Sequence, residues 1–167
     1  MYICNETIDK LVQESRKNTR KRSHLLLHET SEDKIQSMLF GLQPLTKIRA
    51  HRHSNETETI CSIKGQIAIF FFNDSGEVID RRLLNQKNII YKFNPKVWHS
   101  YVCLEEDTVG WEIKEGPYLP GKVQFAQWCP EENDSNFIFF QQQLIDLLEV
   151  SNEEFKDLSF STSHDGE

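Results

Sequence analysis

Between residues 60 and 114 the chain repeats one pattern six times: a short run rich in β-branched and aromatic side chains, closed by residues that turn. The runs cover 60–63, 66–72, 78–84, 88–93, 98–104 and 109–114. Lys64-Gly65 reads as a tight turn, Asn73-Asp74-Ser75-Gly76 as a hairpin loop, and Asn94-Pro95-Lys96 as a forced bend. Six short strands at this rhythm predict a sandwich or barrel.

Helical periodicity flanks the β-rich stretch. From Asn5, the positions of Ile8, Leu11 and Val12 predict a short helix behind a capping-type residue. A second is predicted over 31–42, where Ile35, Met38, Leu39 and Leu42 share one helical face, Glu32 and Asp33 suit the positive start, and Gly41 and Pro44 close it. Phe137, Phe140, Leu144, Leu147 and Leu148 mark an amphipathic helix begun by Asp134 or Ser135 and laid across the β core. Ser151 with Glu154 forms a capping box, and residues 161–167 read as a loose tail. The expected organisation is one mainly β domain: a helical, basic extension over 1–45 packed on the barrel, the barrel over 46–130, a helical segment over 131–160, and the tail.

A formal charge of -7 argues against a general grip on nucleic acid. The imbalance is uneven: residues 1–50 hold nine Lys/Arg against six Asp/Glu, leaving room for a small anionic ligand near the front. Residues 16–22 put five positive charges in seven positions, which reads first as a solvated loop and second as an anion-facing segment. No apolar run approaches a membrane span, and the first residues show no export leader, so cytoplasmic residence without a membrane partner is the expectation. Cys4, Cys61, Cys103 and Cys129 lie far apart with no C-x-x-C pair and are read as reduced thiols.

The chemistry concentrates in Ala50-His51-Arg52-His53-Ser54-Asn55-Glu56-Thr57-Glu58, followed by a strand and Gly65. Residues two apart on an extended chain share a face, so His51 and His53 aim both imidazoles at one point, as metal ligands do. Glu58 lies at an odd offset; with a turn over 54–57 it heads the next strand and can face back as a carboxylate ligand. His99, just after the Pro95 bend, is the best-placed fourth ligand. His24, His28 and His164 lack such company and read as ordinary histidines. Three imidazoles and a carboxylate suit zinc, iron, manganese, nickel or cobalt rather than calcium or magnesium.

The spacing His51-x-His53, Glu58, Gly65 resembles the first motif of the cupins, small β-barrel metalloproteins. The second cupin motif is matched by Asn94-Pro95-Lys96-Val97-Trp98-His99, which keeps the histidine but has Asn94 and Lys96 where Pro and Gly are expected, and Cys103 at the Asn position. Over about residues 10–140 the chain resembles more narrowly the cupin-fold metalloproteins labelled WbuC. The segments concerned are Lys21-Arg22-Ser23-His24 with Leu27-His28, Ala50-His51-Arg52-His53, Val97-Trp98-His99, Trp111-Glu112-Ile113-Lys114-Glu115-Gly116-Pro117-Tyr118, and Phe125-Ala126-x-Trp128-x-Pro130-Glu131. That resemblance implies a cupin jelly roll with a metal centre and a setting in bacterial surface polysaccharide synthesis, such as O-antigen or capsule; it does not supply a reaction.

Three functions fit such a site. The first is an enzyme acting on a carbohydrate intermediate, such as a nucleotide sugar, with the metal as Lewis acid for isomerisation or epimerisation. The second is a metal-dependent oxygenase, and the third a non-catalytic module whose metal anchors a small ligand. Tyr101, which shares a strand face with His99, Glu112, which alternates with Val109, Trp111 and Ile113, and Arg49, two residues before His51, are the candidate wall groups. For each, a structural hydrogen bond is the plainer reading. Cys103, on the face of His99, reads as a buried inert thiol before a fifth ligand. Exposed edge strands favour a homodimer.

Overall fold

A computed structural model describes residues 2–54, 57–119 and 121–149. Two five-stranded antiparallel sheets lie face to face. One holds β1 (Arg22–Leu26), β2 (Ile35–Leu42), β9 (Thr108–Glu115), β4 (Glu58–Lys64) and β7 (Ile90–Phe93), in that order across the sheet. The other runs β10 (Val123–Phe125), β3 (His51–His53), β8 (Trp98–Cys103), β5 (Ile67–Phe72) and β6 (Val78–Leu84). Helix α1 (Asn5–Lys17) covers the outside of the first sheet, and α2 (Phe137–Glu149) packs with outer-face residues of the second. The six runs read as strands are strands, their ends moved by two residues or fewer. No helix among the described residues is long and apolar enough to cross a membrane.

The core is layered because the central strands are covered twice. Every residue of β5, Ile67-Ala68-Ile69-Phe70-Phe71-Phe72, is buried. Ile67, Ile69 and Phe71 meet Phe40, Leu42, Ile60 and Phe93 between the sheets. Ala68, Phe70 and Phe72 turn outward onto Phe137 and Leu144 of α2. Burying one such phenylalanine is worth about 2 kcal/mol or more, and the strand carries no polar residue on either face.

The helix expected over 31–42 is instead strand β2. Its spacing of Ile35, Met38, Leu39 and Leu42 fits a helix, but Phe40 and Leu42 point between the sheets while Leu39 points out under Leu11 and Val12 of α1. A strand buried on both faces loses its period-2 signature, and pairing with β1 and β9 then decides its state. Gly41 does not close a helix. A Cβ there would lie 2.8 Å from Ser23 Oγ and 3.1 Å from the Leu11 carbonyl oxygen, so it is the point where α1 rests on the sheet. The tight turn at Gly65 does form, with φ of +75°, and a Cβ there would lie 2.3 Å from Thr108 Oγ1.

Helix α1 runs longer than expected. Cys4 is its N-cap residue, with its thiol 3.4 Å from Thr7 Oγ1 rather than on a backbone N–H, and Arg16 and Lys17 form its last turn, where their charge suits the negative end. The basic stretch is therefore not a solvated loop throughout. Arg16 pairs with Asp107, while Arg20 and Arg22, the latter on β1, each place a guanidinium nitrogen 2.7 Å from the same oxygen of Glu132. At the start of α2, Asp134 Oδ1 accepts from the Asn136 N–H at 2.8 Å. All four cysteines are free thiols. The capping box at Ser151 and Glu154, the tail over 161–167 and His164 lie outside the described residues.

Candidate metal centre

Strand β3 is only three residues long, and its period of two turns His51 and His53 to one side, into the gap between the sheets. His51 faces His99 of β8 directly in register. The three ring centroids are 4.4 Å (51 to 99), 5.2 Å (51 to 53) and 5.6 Å (53 to 99) apart. One ligating nitrogen from each lies within 4.8 Å of the others, so the three imidazoles form a group able to hold a metal ion.

Two of the rings are oriented by their own backbone. His51 Nδ1 lies 2.8 Å from the Arg49 carbonyl oxygen, and His99 Nδ1 lies 2.9 Å from that of Val97. A carbonyl only accepts, so each Nδ1 carries the proton and each Nε2 presents its lone pair, the arrangement of metal-bound histidine. His99 Nε2 is buried and makes no hydrogen bond among the described residues. Burial first, and then its neighbour His99, depress the basicity of His51 to a pKa of about 3. Burial likewise takes His99 to about 3, with His53 adding to the fall. Both rings are neutral at ordinary pH, as ligation requires. The donor set, the fixed tautomers and the buried Nε2 of His99 fit a borderline first-row ion.

Glu58 heads β4 in the opposite sheet and is 1% exposed. From there it reaches the histidines across the sandwich. Its Oε2 lies 3.4 Å from His53 Nε2 and 3.6 Å from His99 Nε2. Tyr101, two residues after His99, donates its hydroxyl to the other carboxylate oxygen at 2.5 Å. Burial, and then the charge of Glu58, push the Tyr101 phenol well above its usual range, so it is held as a donor. Cys103 continues the same face, but its thiol donates to the Glu105 carbonyl oxygen at 3.1 Å, and burial pushes its pKa up to about 11.

Beside the histidines opens a cavity of about 540 Å³ between the β1–β2–β9 part of one sheet and the β3–β10 edge of the other. His51, His53, Tyr101, Glu112 and Arg49 all line it. Arg49 stacks on Phe125, 4.9 Å from the ring centroid, with Glu131 at 3.9 Å. His24 and His28 also face the cavity, on β1 and just beyond it.

Lys114 was missed by sequence reasoning. It follows Glu112 by two on β9, stands between Gln36 and Glu58 in register, and places Nζ 2.8 Å from Glu112 Oε1. The alternation that singled out Glu112 also carries Lys114, and would have found it.

The match to known proteins is one of fold. A family model described as a domain of unknown function, DUF6016, matches residues 3–84, a span that includes His51, His53 and Glu58 but ends before His99. No curated protein matches the sequence. Among solved structures, CapF with the inhibitor 3-isopropenyl-tropolone is similar at a TM-score of 0.54 and 16% identity, covering 62% of this chain and 31% of CapF. L-ribose isomerase from Cellulomonas parahominis is similar at 0.52 and 12% identity, covering 64% of this chain and 70% of the isomerase. A structure of the DMSP lyases RdDddP and RnDddQII is similar at 0.50 and 13%, covering 64% of this chain and 53% of that one. The chain thus spans about a third of CapF and about half of the lyase. Its own architecture, two facing five-stranded antiparallel sheets with flanking helices, is a jelly-roll sandwich.

Proposed function

We propose that this chain is a metal-dependent cupin protein in which His51, His53 and His99, with Glu58 as fourth ligand, hold a divalent transition metal, and that the adjoining cavity takes a small, oxygen-rich, carbohydrate-like molecule for isomerisation or epimerisation. The observation that carries it is the convergence of three imidazoles, two with Nδ1 fixed on backbone carbonyls, beside a cavity large enough for a sugar. When bound, the ion supplies Lewis acidity toward a carbonyl or hydroxyl oxygen.

The chain's own residues supply the rest. Tyr101 holds the Glu58 carboxylate in place, which makes it a positioning residue and a poor base. Glu112 is the carboxylate on the cavity wall suited to carry a proton, with Lys114 Nζ 2.8 Å from its Oε1. Phe40, Leu42, Ile48 and Phe125 give the apolar surface that excludes water from the reacting end. The L-ribose isomerase likeness agrees with a sugar reaction only at the level of fold, and the setting in surface polysaccharide assembly rests on the sequence resemblance.

Elemental analysis and proton NMR in D2O test this reading. The purified protein carries about one transition-metal ion per chain. It washes solvent deuterium into a sugar or nucleotide sugar, and the exchange stops on chelation and in Glu112→Gln. Protein that carries no ion after metal reconstitution refutes the metal centre; loaded protein that exchanges no sugar proton refutes the reaction.

A further inference from the structure

The cavity is charged against the grain of the protein. The chain is formally -7, yet the cations lining this cavity, Arg20, Arg22, Arg49 and Lys114, outnumber its two carboxylates, Glu112 and Glu132. Two of the cations share Glu132, and the partner of Arg49 is the exposed Glu131 at 3.9 Å, an ion pair that water screens. The cation opposite Glu58 in register is Lys114. Its side chain is 17% exposed and that of its partner Glu112 is 9% exposed; in register Glu112 stands between Met38 and Ile60, and Lys114 between Gln36 and Glu58. Burying an ion pair adds little to stability, since packed aliphatic side chains of the same volume would serve as well or better. An ammonium also has three donors, of which a single carboxylate oxygen of Glu112 engages one.

We propose that the cavity is built for a polyhydroxylated molecule bearing an oxyanion, carboxylate or phosphate, and that Lys114 is the residue that reads this group. The inference rests on the small-ligand role assigned to the cavity above, and names its substrate class. Glu112 pairs with Lys114 on the cavity wall, and Arg49 and Arg22 line the same cavity. A neutral sugar of the same length fills the same space without meeting the ammonium.

The test uses three matched probes, D-gluconate, D-glucitol 6-phosphate and D-glucitol, titrated calorimetrically into nickel-loaded and metal-free protein. Wild type binds one of the two anionic probes at least about tenfold more tightly than glucitol, the yield of one charge-assisted contact, and the tighter of the two shows which oxyanion it takes. Glu112→Gln/Lys114→Met, which removes both charges of the pair, loses that preference. Lys114→Arg keeps it and stands as the folded control. Equal binding of all three probes by wild type, or a preference that survives in the double variant, overturns the proposal. Nickel content is measured on the same samples. Loss of nickel with the anion preference intact marks a failure of the metal assignment, whereas a charge-blind cavity in nickel-loaded protein marks a failure of this one.

Discussion

Removing one oxygen atom tests how the site is braced. Tyr101→Phe keeps the ring in the inner core, where it packs among Ile69, Phe71 and Phe93, and deletes only the hydroxyl that donates to Glu58 Oε1 at 2.5 Å. Both partners are buried, the tyrosine 8% and the glutamate 1% exposed, so water does not replace the lost donor freely. A hydrogen bond to a charged group is worth roughly 1.5–3 kcal/mol, and in a chain of this size each kcal/mol moves the melting temperature by about 2–4 °C. Metal-free Tyr101→Phe should therefore melt about 3–12 °C below wild type by calorimetry. In the same variant the carboxylate is less well oriented, and affinity for nickel should fall about 10–100-fold, the usual effect of losing a group that positions a ligand. A variant that melts within 1 °C of wild type, roughly the resolution at which such a bond would show, and binds nickel equally well refutes the bracing role.

The remaining expectations concern the histidines. Single His51→Ala, His53→Ala or His99→Ala substitutions should abolish stoichiometric metal binding by elemental analysis, while His164→Ala leaves it intact; four equal results would contradict the ligand assignment. Stability of the metal-free protein should fall on acidification. His51 and His99 bind protons near pH 6.5 when unfolded but only near pH 3 when folded, so the unfolded chain holds more protons between those values. The stability is whole above about pH 6.5 and drains away toward pH 3, at up to about 1.4 kcal/mol per pH unit for each ring. Denaturation midpoints in urea that stay level from pH 7 to pH 4 would contradict the buried neutral imidazoles.

Much of the architecture could be read from the residues alone. Turn chemistry at Lys64-Gly65 and Asn73–Gly76 separated strands whose limits moved little, because Gly, Asn and Pro constrain the backbone locally. Strand β2 escaped because its two buried faces erase alternation, so that Leu39 and Phe40 point oppositely yet are equally apolar. Strands β3 and β10 are three residues each, too short for any period to register. In the site, the His51/His53 pair follows from period-2 geometry. The approach of Glu58 from the facing sheet and the pairing of His51 with His99 depend on topology, which spacing does not encode. The ends of the basic segment met partners at Asp107 and Glu132, about ninety and more than a hundred residues away, beyond the reach of any local pattern.

The central claim is one ion among three imidazoles. Anomalous diffraction at the absorption edge of the metal found in the protein tests it most directly. The account predicts a single strong peak between the sheets, about 2.0–2.2 Å from Nε2 of His51, His53 and His99. No peak there after metal reconstitution, or a peak held by other side chains, would contradict it.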